Sequence, residues 1–586
     1  VTRTVFGALA LLATFLAAKA FVSGVNNAAP PIRWNLASPR FTHPNVVNPQ
    51  THAVRYFIAS DAFSAGNRDA EIQSIRNAFL QWQAVTGTTL KFEEGGVVDG
   101  RFDINTTDNT NIVFWAKSST LVNNQMDDIS GATGVTFIDR FGDNSISEGD
   151  IVFNGVQYGW FADYNHPVDA FQFVEAVALH EIGHFIGLDH SPLGGATMYT
   201  RSAPGISTQT ELASDEVSAI RYLYPSSAFA ATLAGLSGKI SMNSTGVIGA
   251  SVILEDIIGN AASGTVSDTN GVYQFQGLAP GKYNLHVVPL DPENVPNSAR
   301  LTIGWDIEYS YRIAETRFLP TTNQPVSLVA GKTTSLNVAV TPGDAPFRIS
   351  RIRTPVANPE YLFVVNSASM LRPGQSNVFI GVYSPNLPES DATLTLTGDG
   401  LTVGPTLFKP GAFVGLNLMA LQVSVATNAT PGLRSLVVRQ GTNVAYANGF
   451  IELQAPFPDI NHDGLDDRFQ RQYFGTPFAT NAAPNLDVDH DGFSNYIEYI
   501  SGSDPTDPNS VLRVKSARWD ALGATIGWSS QPGRRYQVSS RLDGSNAHAW
   551  QNVGEPVTSN GEFTEYLDAG AADQSRLYRI QALPLP

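Results

Sequence analysis

Three histidines and one glutamate stand at spacings that suit a metal-assisted reaction, in His180-Glu181-Ile182-Gly183-His184-Phe185-Ile186-Gly187-Leu188-Asp189-His190. On an α-helix, residues four apart lie one turn along and about 40° round, so His180 and His184 can converge on one ion. Glu181 lies about 100° round from His180, close to that ion yet free of it, where a base for an activated water is wanted. Gly187 can take positive φ and reverse the chain, returning His190 as a third ligand. Three neutral imidazoles leave a tetrahedral zinc with one open position, the pattern of catalytic sites as opposed to closed structural ones. Such a zinc brings the pKa of water towards about 7 and polarises a carbonyl, while Glu181 takes a proton and hands it to a leaving amine. Peptide-bond hydrolysis is the chemistry expected.

A second constellation is built from oxygen ligands. Asp487, Asp489, Asp491, Asn495 and Glu498 occupy positions 1, 3, 5, 9 and 12 of a loop with Gly492 at position 6 and the Phe493 carbonyl at position 7, the spacing of an EF-hand calcium loop. Asp459, Asn461, Asp463, the Leu465 carbonyl and Asp467 repeat it, but Gln470 stands where the bidentate glutamate belongs, so this copy is expected to hold calcium more weakly. The alternative is an acidic solvated turn, against which two in-register copies weigh, because carboxylates this dense repel one another unless a cation neutralises them.

The elements that must position these groups can be read from periodicity. Ile72, Ile75, Phe79, Trp82 and Val85 mark one face of a helix over 69–85, a second helix over 173–186 carries the histidines, and a third spans 211–223. Short strands are expected at 112–115 and 151–153. After Pro225 the pattern turns to short alternating runs broken by Gly, Pro and Asn, which predicts β-sandwich modules over 232–341 and 342–455. The calcium loops fill 456–510, and a terminal β module over 511–586 has Trp519, Trp528, Tyr536 and Trp550 as its expected core.

Several classes are excluded by composition. At 586 residues the chain is too long for one core. Without cysteine it has no disulfides, thiolate metal sites or cysteine nucleophile, and any metal falls to His, Asp, Glu or carbonyls. A net charge of −17 repels nucleic acid. Arg3, the uncharged run Val5 to Ala18 and Ala18-Lys19-Ala20 read as a secretory signal over 1–20, the run being shorter than the roughly 20 residues a membrane span needs.

The extended histidine motif is followed by Ala196-Thr197-Met198-Tyr199, and together they resemble the metzincin zinc peptidases, most closely the matrixin branch. Ala78-Phe79 with Trp82, Asn111-Ile112-Val113-Phe114, and the 212–223 helix with Asp215 and Glu216 fall in matrixin order, so the resemblance covers about residues 29–225. It implies an α+β zincin domain in which Met198 underlies the zinc ligands, with Tyr199 beside it, and in which Thr200 replaces the usual proline. It also implies no cysteine-based latency and, lacking the His-rich pattern between Phe114 and Trp160, no second zinc. Gly249 to Leu254, Asp268 to Phe275 and Leu278 to Tyr283 resemble the carboxypeptidase-regulatory-like sandwich, and the paired acidic loops resemble dockerin or thrombospondin-type-3 repeats.

The fold class expected is therefore multidomain: an α+β metzincin domain, then all-β sandwiches and a calcium-loop segment. The expected function is a secreted, monomeric zinc endopeptidase acting on protein or peptide substrates, with modules that contact a surface or polysaccharide, and with no nucleic acid and no membrane span. The competing expectation is an extracellular adhesion or scaffold protein with a catalytically silent head.

Overall fold

The computed structural model describes residues 4–6, 31–37, 43–201, 203–206, 208–291, 314–356, 364–365, 367–542, 549–571 and 575–584. The expected signal segment lies almost wholly outside them. Contacts divide the chain into two compact units, Val1–Pro456 and Phe457–Pro586.

The first unit begins with a twisted sheet whose long strands are β1 (Val54–Ala59), β2 (Phe92–Val98), β3 (Ile112–Ala116), β4 (Gly134–Arg140) and β5 (Ser145–Asn154), in the order β2-β1-β3-β5-β4. All pairings are parallel except β4 with β5, where Phe137 faces Asp150. The parallel strands are crossed by α1 (Arg68–Ala84), which buries Ile72, Ile75, Phe79 and Trp82, the apolar face read from the sequence. Phe79 stacks on Tyr56 of β1, ring centroids 3.7 Å apart, and meets Phe185 of α2 (Val174–Phe185) edge-on. Sheet, α1 and α2 thus share one apolar core, in which each fully buried Ile, Phe or Leu contributes about 1.5–3 kcal/mol.

Helix α3 (Ser214–Leu223) starts three residues later than expected. The Ala213 amide donates to the Glu216 carboxylate (3.1 Å), so the first turn closes there, while Glu211 stays outside the helix with its carbonyl accepting from the Thr197 hydroxyl.

A first sandwich follows, with β6 (Ala234–Met242), β7 (Ser251–Asp256), β8 (Ala261–Val266), β9 (Val272–Leu278), β10 (Gly281–Val288) and β11 (Gln324–Leu328). One sheet is built round β6 and β9, the other runs β8-β7-β10-β11. The second sandwich sets β12 (Arg351–Val356), β13 (Val378–Ser384) and β15 (Leu416–Val425) against β14 (Ala392–Leu396), β16 (Gly432–Gln440) and β17 (Asn443–Leu453). Ile352, Val382, Leu421, Leu436 and Ile451 lie in its core.

In the second unit, α4 (Asp467–Phe474) and α5 (Asn495–Ser501) pack through Leu465, Phe469 and Tyr499. Beyond them come β18 (Gly523–Ser529), β19 (Arg535–Leu542), β20 (Phe563–Asp568) and β21 (Arg576–Leu583). Trp528 and Tyr536 form the expected core, but two of the four aromatics do not. Trp519 is 48% exposed because neither face of its strand, Val514–Asp520, is covered: none of that strand's side chains is buried. Trp550 is half-buried between the Arg541 and Arg579 guanidiniums, 5.0 and 4.9 Å from its ring, an arrangement held by cation–π attraction.

Candidate active site

Helix α2 carries His180, Glu181 and His184 because its register against the core is over-determined. Its inner residues Val177, Leu179 and Ile182 are buried, and the Trp82 indole donates to the Leu179 carbonyl (2.9 Å). The C-terminal carbonyls, which no later turn can satisfy, accept from Trp34 Nε1 (Phe185 O, 2.9 Å) and Tyr224 Oη (Ile186 O, 2.8 Å). Gly187 then takes φ +98°, as the reversal requires, and a side chain there would strike the Ile32 carbonyl.

The reversal brings His190 to the other two histidines. One ligand atom from each of His180, His184 and His190 lies within 4.8 Å of the others, and the ring centroids are 4.8 to 5.3 Å apart. His180 Nδ1 bonds the Thr197 carbonyl (2.7 Å) and His184 Nδ1 the Leu188 carbonyl (2.9 Å), which leaves each Nε2 for the shared space. Burial brings the His180 imidazole down to about 4 and holds His184 well below the ordinary range, so both are neutral donors near pH 7. Three convergent imidazoles, two of them held neutral with Nδ1 engaged by a carbonyl, fit zinc.

Glu181 follows His180 on α2 and is 3% exposed. Its Oε2 accepts from the Thr136 hydroxyl of β4 at 2.7 Å, and the same oxygen of Thr136 lies 2.9 Å from the Glu181 carbonyl. Burial raises the carboxyl to about 8, and the Thr136 bond opposes the rise. Gly134 gives it room: a Cβ there would come within 2.8 Å of the Glu181 side chain. Neither Thr136 nor Gly134 could be found from the sequence, since nothing local ties a strand residue to a glutamate 45 positions away.

Met198 lies beneath the helix, its Sδ so close to Gly183 that a methyl there would overlap it. The Met198 amide donates to Glu216 (2.9 Å) and its carbonyl accepts from the Ser191 amide (2.8 Å). Tyr199, fully buried, meets Phe450 of β17 edge-on.

In the second unit, the Asp487, Asp489 and Asp491 carboxylates come within 4.8 Å of one another round Gly492. Glu498, 1% exposed, has Oε2 buried without a hydrogen-bond partner, and its carboxyl is raised to about 7 by burial and by Asp489 and Asp491. Asn495 spends its amide protons on the Asn481 and Ala483 carbonyls, leaving Oδ1 unpartnered. Phe493 exposes its ring, so only its backbone bears on the loop. In the earlier loop the Asp463 amide donates to Asp459 as the Asp491 amide does to Asp487, but here Gln470 and Asn461 both donate to Asp463 Oδ2 (2.8 and 2.9 Å) and the Ile460 amide donates to Asp467. The Leu465 amide donates to Asp463 Oδ1.

Comparison with known proteins agrees with this geometry. A family model described as matrixin matches residues 48–225, and one described as an SdrD B-like domain matches 236–306, a different module from the carboxypeptidase-regulatory-like one that the strand motifs resemble. Metalloendoproteinase 5-MMP of Arabidopsis thaliana is 41% identical over 58 residues, 10% of this chain, which spans only 16% of that relative's length. Among solved structures, the minor pilin GBS52 of Streptococcus agalactiae is 12% identical with a TM-score of 0.14, over 20% of this chain and 47% of its own. The Bacillus anthracis TIE protein is 8% identical at 0.14, over 61% and 49%. Among the described residues no helix is long and apolar enough to cross a membrane. The histidine cluster sits inside the stretch that the first model matches, and residues 48–225 are a matrixin metalloendopeptidase domain, followed in the chain by β-sandwich modules.

Proposed function

We propose that the chain is an exported, zinc-dependent endopeptidase that cleaves peptide bonds in proteins, stiffened in its second unit by calcium. The observation that carries the first part is the convergence of the His180, His184 and His190 imidazoles, the first two held neutral by burial, with Glu181 next to His180 on α2. Zinc, when held by His180, His184 and His190, supplies a Lewis acid that polarises a carbonyl and acidifies water. The chain's own residues do the rest. Glu181 holds and moves the proton, from the attacking water to the leaving amine, and Thr136 keeps its carboxylate aimed and ionisable. The Thr197 and Leu188 carbonyls hold the His180 and His184 rings in the ligating tautomer. Met198 supports the helix from below.

The export reading is supported by Arg3 with the apolar run behind it and the small residues Ala18 and Ala20 round Lys19. Calcium at Asp487, Asp489, Asp491, Asn495, the Phe493 carbonyl and Glu498 is supported by the clustering of the three aspartates and by a buried, unpartnered Glu498 oxygen whose carboxyl feels their charge. The loop at Asp459, Asn461, Asp463, Leu465 and Asp467 is the weaker one, because two amide groups already neutralise part of Asp463.

The test is a pair of variants on a denatured protein substrate. Glu181→Ala keeps zinc and loses peptidase activity, whereas His184→Ala loses both. Cleavage by both variants at the wild-type rate refutes the assignment.

A further inference from the structure

The loop between the third histidine and Met198 is not a free surface loop. All nine residues from Ser191 to Tyr199 are buried, and much of what buries them belongs to the two sandwiches. From the first, Ser263 Oγ and the Gly264 amide donate to the Asp215 carboxylate (2.7 and 3.1 Å), which also accepts from the Ser191 hydroxyl. Pro192 packs on Gly264, where a Cβ would come within 2.5 Å of its ring. From the second, the Asn448 and Gly449 carbonyls accept from the Gly194 and Gly195 amides, both at 2.9 Å, like two rungs of a ladder. The Phe450 ring covers Gly194 so closely that a methyl there would lie 2.6 Å from it, and Leu433 does the same at Gly195. Beyond, Phe450 meets the Tyr199 ring at 5.4 Å. Leu193 and Ala196 of the loop, Ile253 and Ala261 of the first sandwich and Leu433 of the second form one apolar cluster. His286 of β10 bonds Asn448, joining the two sandwiches behind it (2.9 Å).

What this loop carries is the metal site itself. It begins one residue after His190, and its Thr197 carbonyl sets the His180 ring. A shift of the loop therefore displaces two of the three imidazoles. Building on the zinc reading above, we infer that the sandwiches are part of the metal centre and not merely tethers or spacers, with β17 as the element that sets the loop and Phe450 as a positioning residue for zinc. The physical reason is cost: ligand atoms hold a metal tightly only if the backbone behind them is fixed beforehand, and a nine-residue loop cannot bury itself.

The experiment uses the full chain with Gly194→Ala, Phe450→Ala, the double variant and Phe450→Leu. Zinc affinity is read by competition with a chromogenic chelator, with thermal midpoint and the separate kcat and KM alongside. Each alanine variant is expected to weaken zinc by about 10- to 100-fold, as loss of supporting contacts does elsewhere. The double variant loses no more than Phe450→Ala alone, because removal of the ring makes room for the new methyl, and Phe450→Leu stays near wild type. Gly194→Ala lies outside the sandwich, so it tests the coupling even where Phe450→Ala fails to fold. Single variants that keep wild-type zinc affinity while their thermal midpoints fall, or losses that simply add, overturn the inference. Wild-type protein that takes up no zinc overturns the metalloenzyme reading and this one with it; wild-type uptake with unaltered variants overturns this one alone.

Discussion

Replacing Thr136 by valine removes the hydroxyl that stands within hydrogen-bond reach of both the Glu181 carboxylate and the Glu181 carbonyl. The two side chains have nearly the same shape, so the change removes a hydroxyl with little change in packing. That hydroxyl donates to Glu181 Oε2 at 2.7 Å inside a buried site. A hydrogen bond to a charged group is worth about 1.5–3 kcal/mol, which at about 1.4 kcal/mol per unit raises the carboxyl by roughly one to two pH units. Burial already lifts Glu181 to about 8 in the metal-free protein. A bound cation draws it down in wild type and variant alike, so the difference between them survives. A base works only when ionised, so the acidic limb of kcat/KM against pH moves to higher pH in Thr136→Val, while the plateau and the zinc content hold. The same shift has a stability signature without metal. A carboxyl raised on folding favours the native state below its unfolded value of about 4.5, and that contribution is lost as pH rises through about 8; the variant extends the loss to higher pH. The assay is a pH profile on a peptide substrate with zinc measured in parallel. An acidic limb that stays put with zinc unchanged would mean that Thr136 does not tune the titrating base, and the mechanism above would fall.

Three further outcomes are expected. Calcium at about 100 times its dissociation constant stabilises the second unit by roughly 2.7 kcal/mol, and Glu498→Gln removes most of that gain; equal thermal midpoints with calcium and with chelator would contradict it. Without calcium, the raised Glu498 carboxyl makes this unit less stable as pH rises through about 7, and calcium abolishes the trend. Gly183→Ala drives a methyl into Met198 Sδ and against Trp82, and overpacking of this kind costs about 1–3 kcal/mol, measurable by chemical denaturation.

Much of this protein is legible in its sequence because much of it is local. The helical period alone sets His180, Glu181 and His184 on one side of α2, and Gly187 marks the reversal that returns His190, since only a residue without a Cβ tolerates that φ beside the Ile32 carbonyl. The acidic loops are local in the same way, each ligand lying within twelve residues of the first. The structure departs from the expected elements at two places. Helix α3 begins at Ser214, where Glu216 accepts from both the Ala213 and Met198 amides, and Trp519 is exposed on a strand that buries none of its side chains.

What only the tertiary structure decided is what stands behind the metal ligands. Thr136 reaches Glu181 through the pairing of β4 with β5, and the loop of Met198 is seated on a strand some 250 residues further along the chain. No spacing rule links such residues, because their contact depends on sheet register and on how separate apolar faces meet. The chemistry was written in short intervals of sequence; the rigidity that lets it operate comes from modules which, read alone, look like appendages.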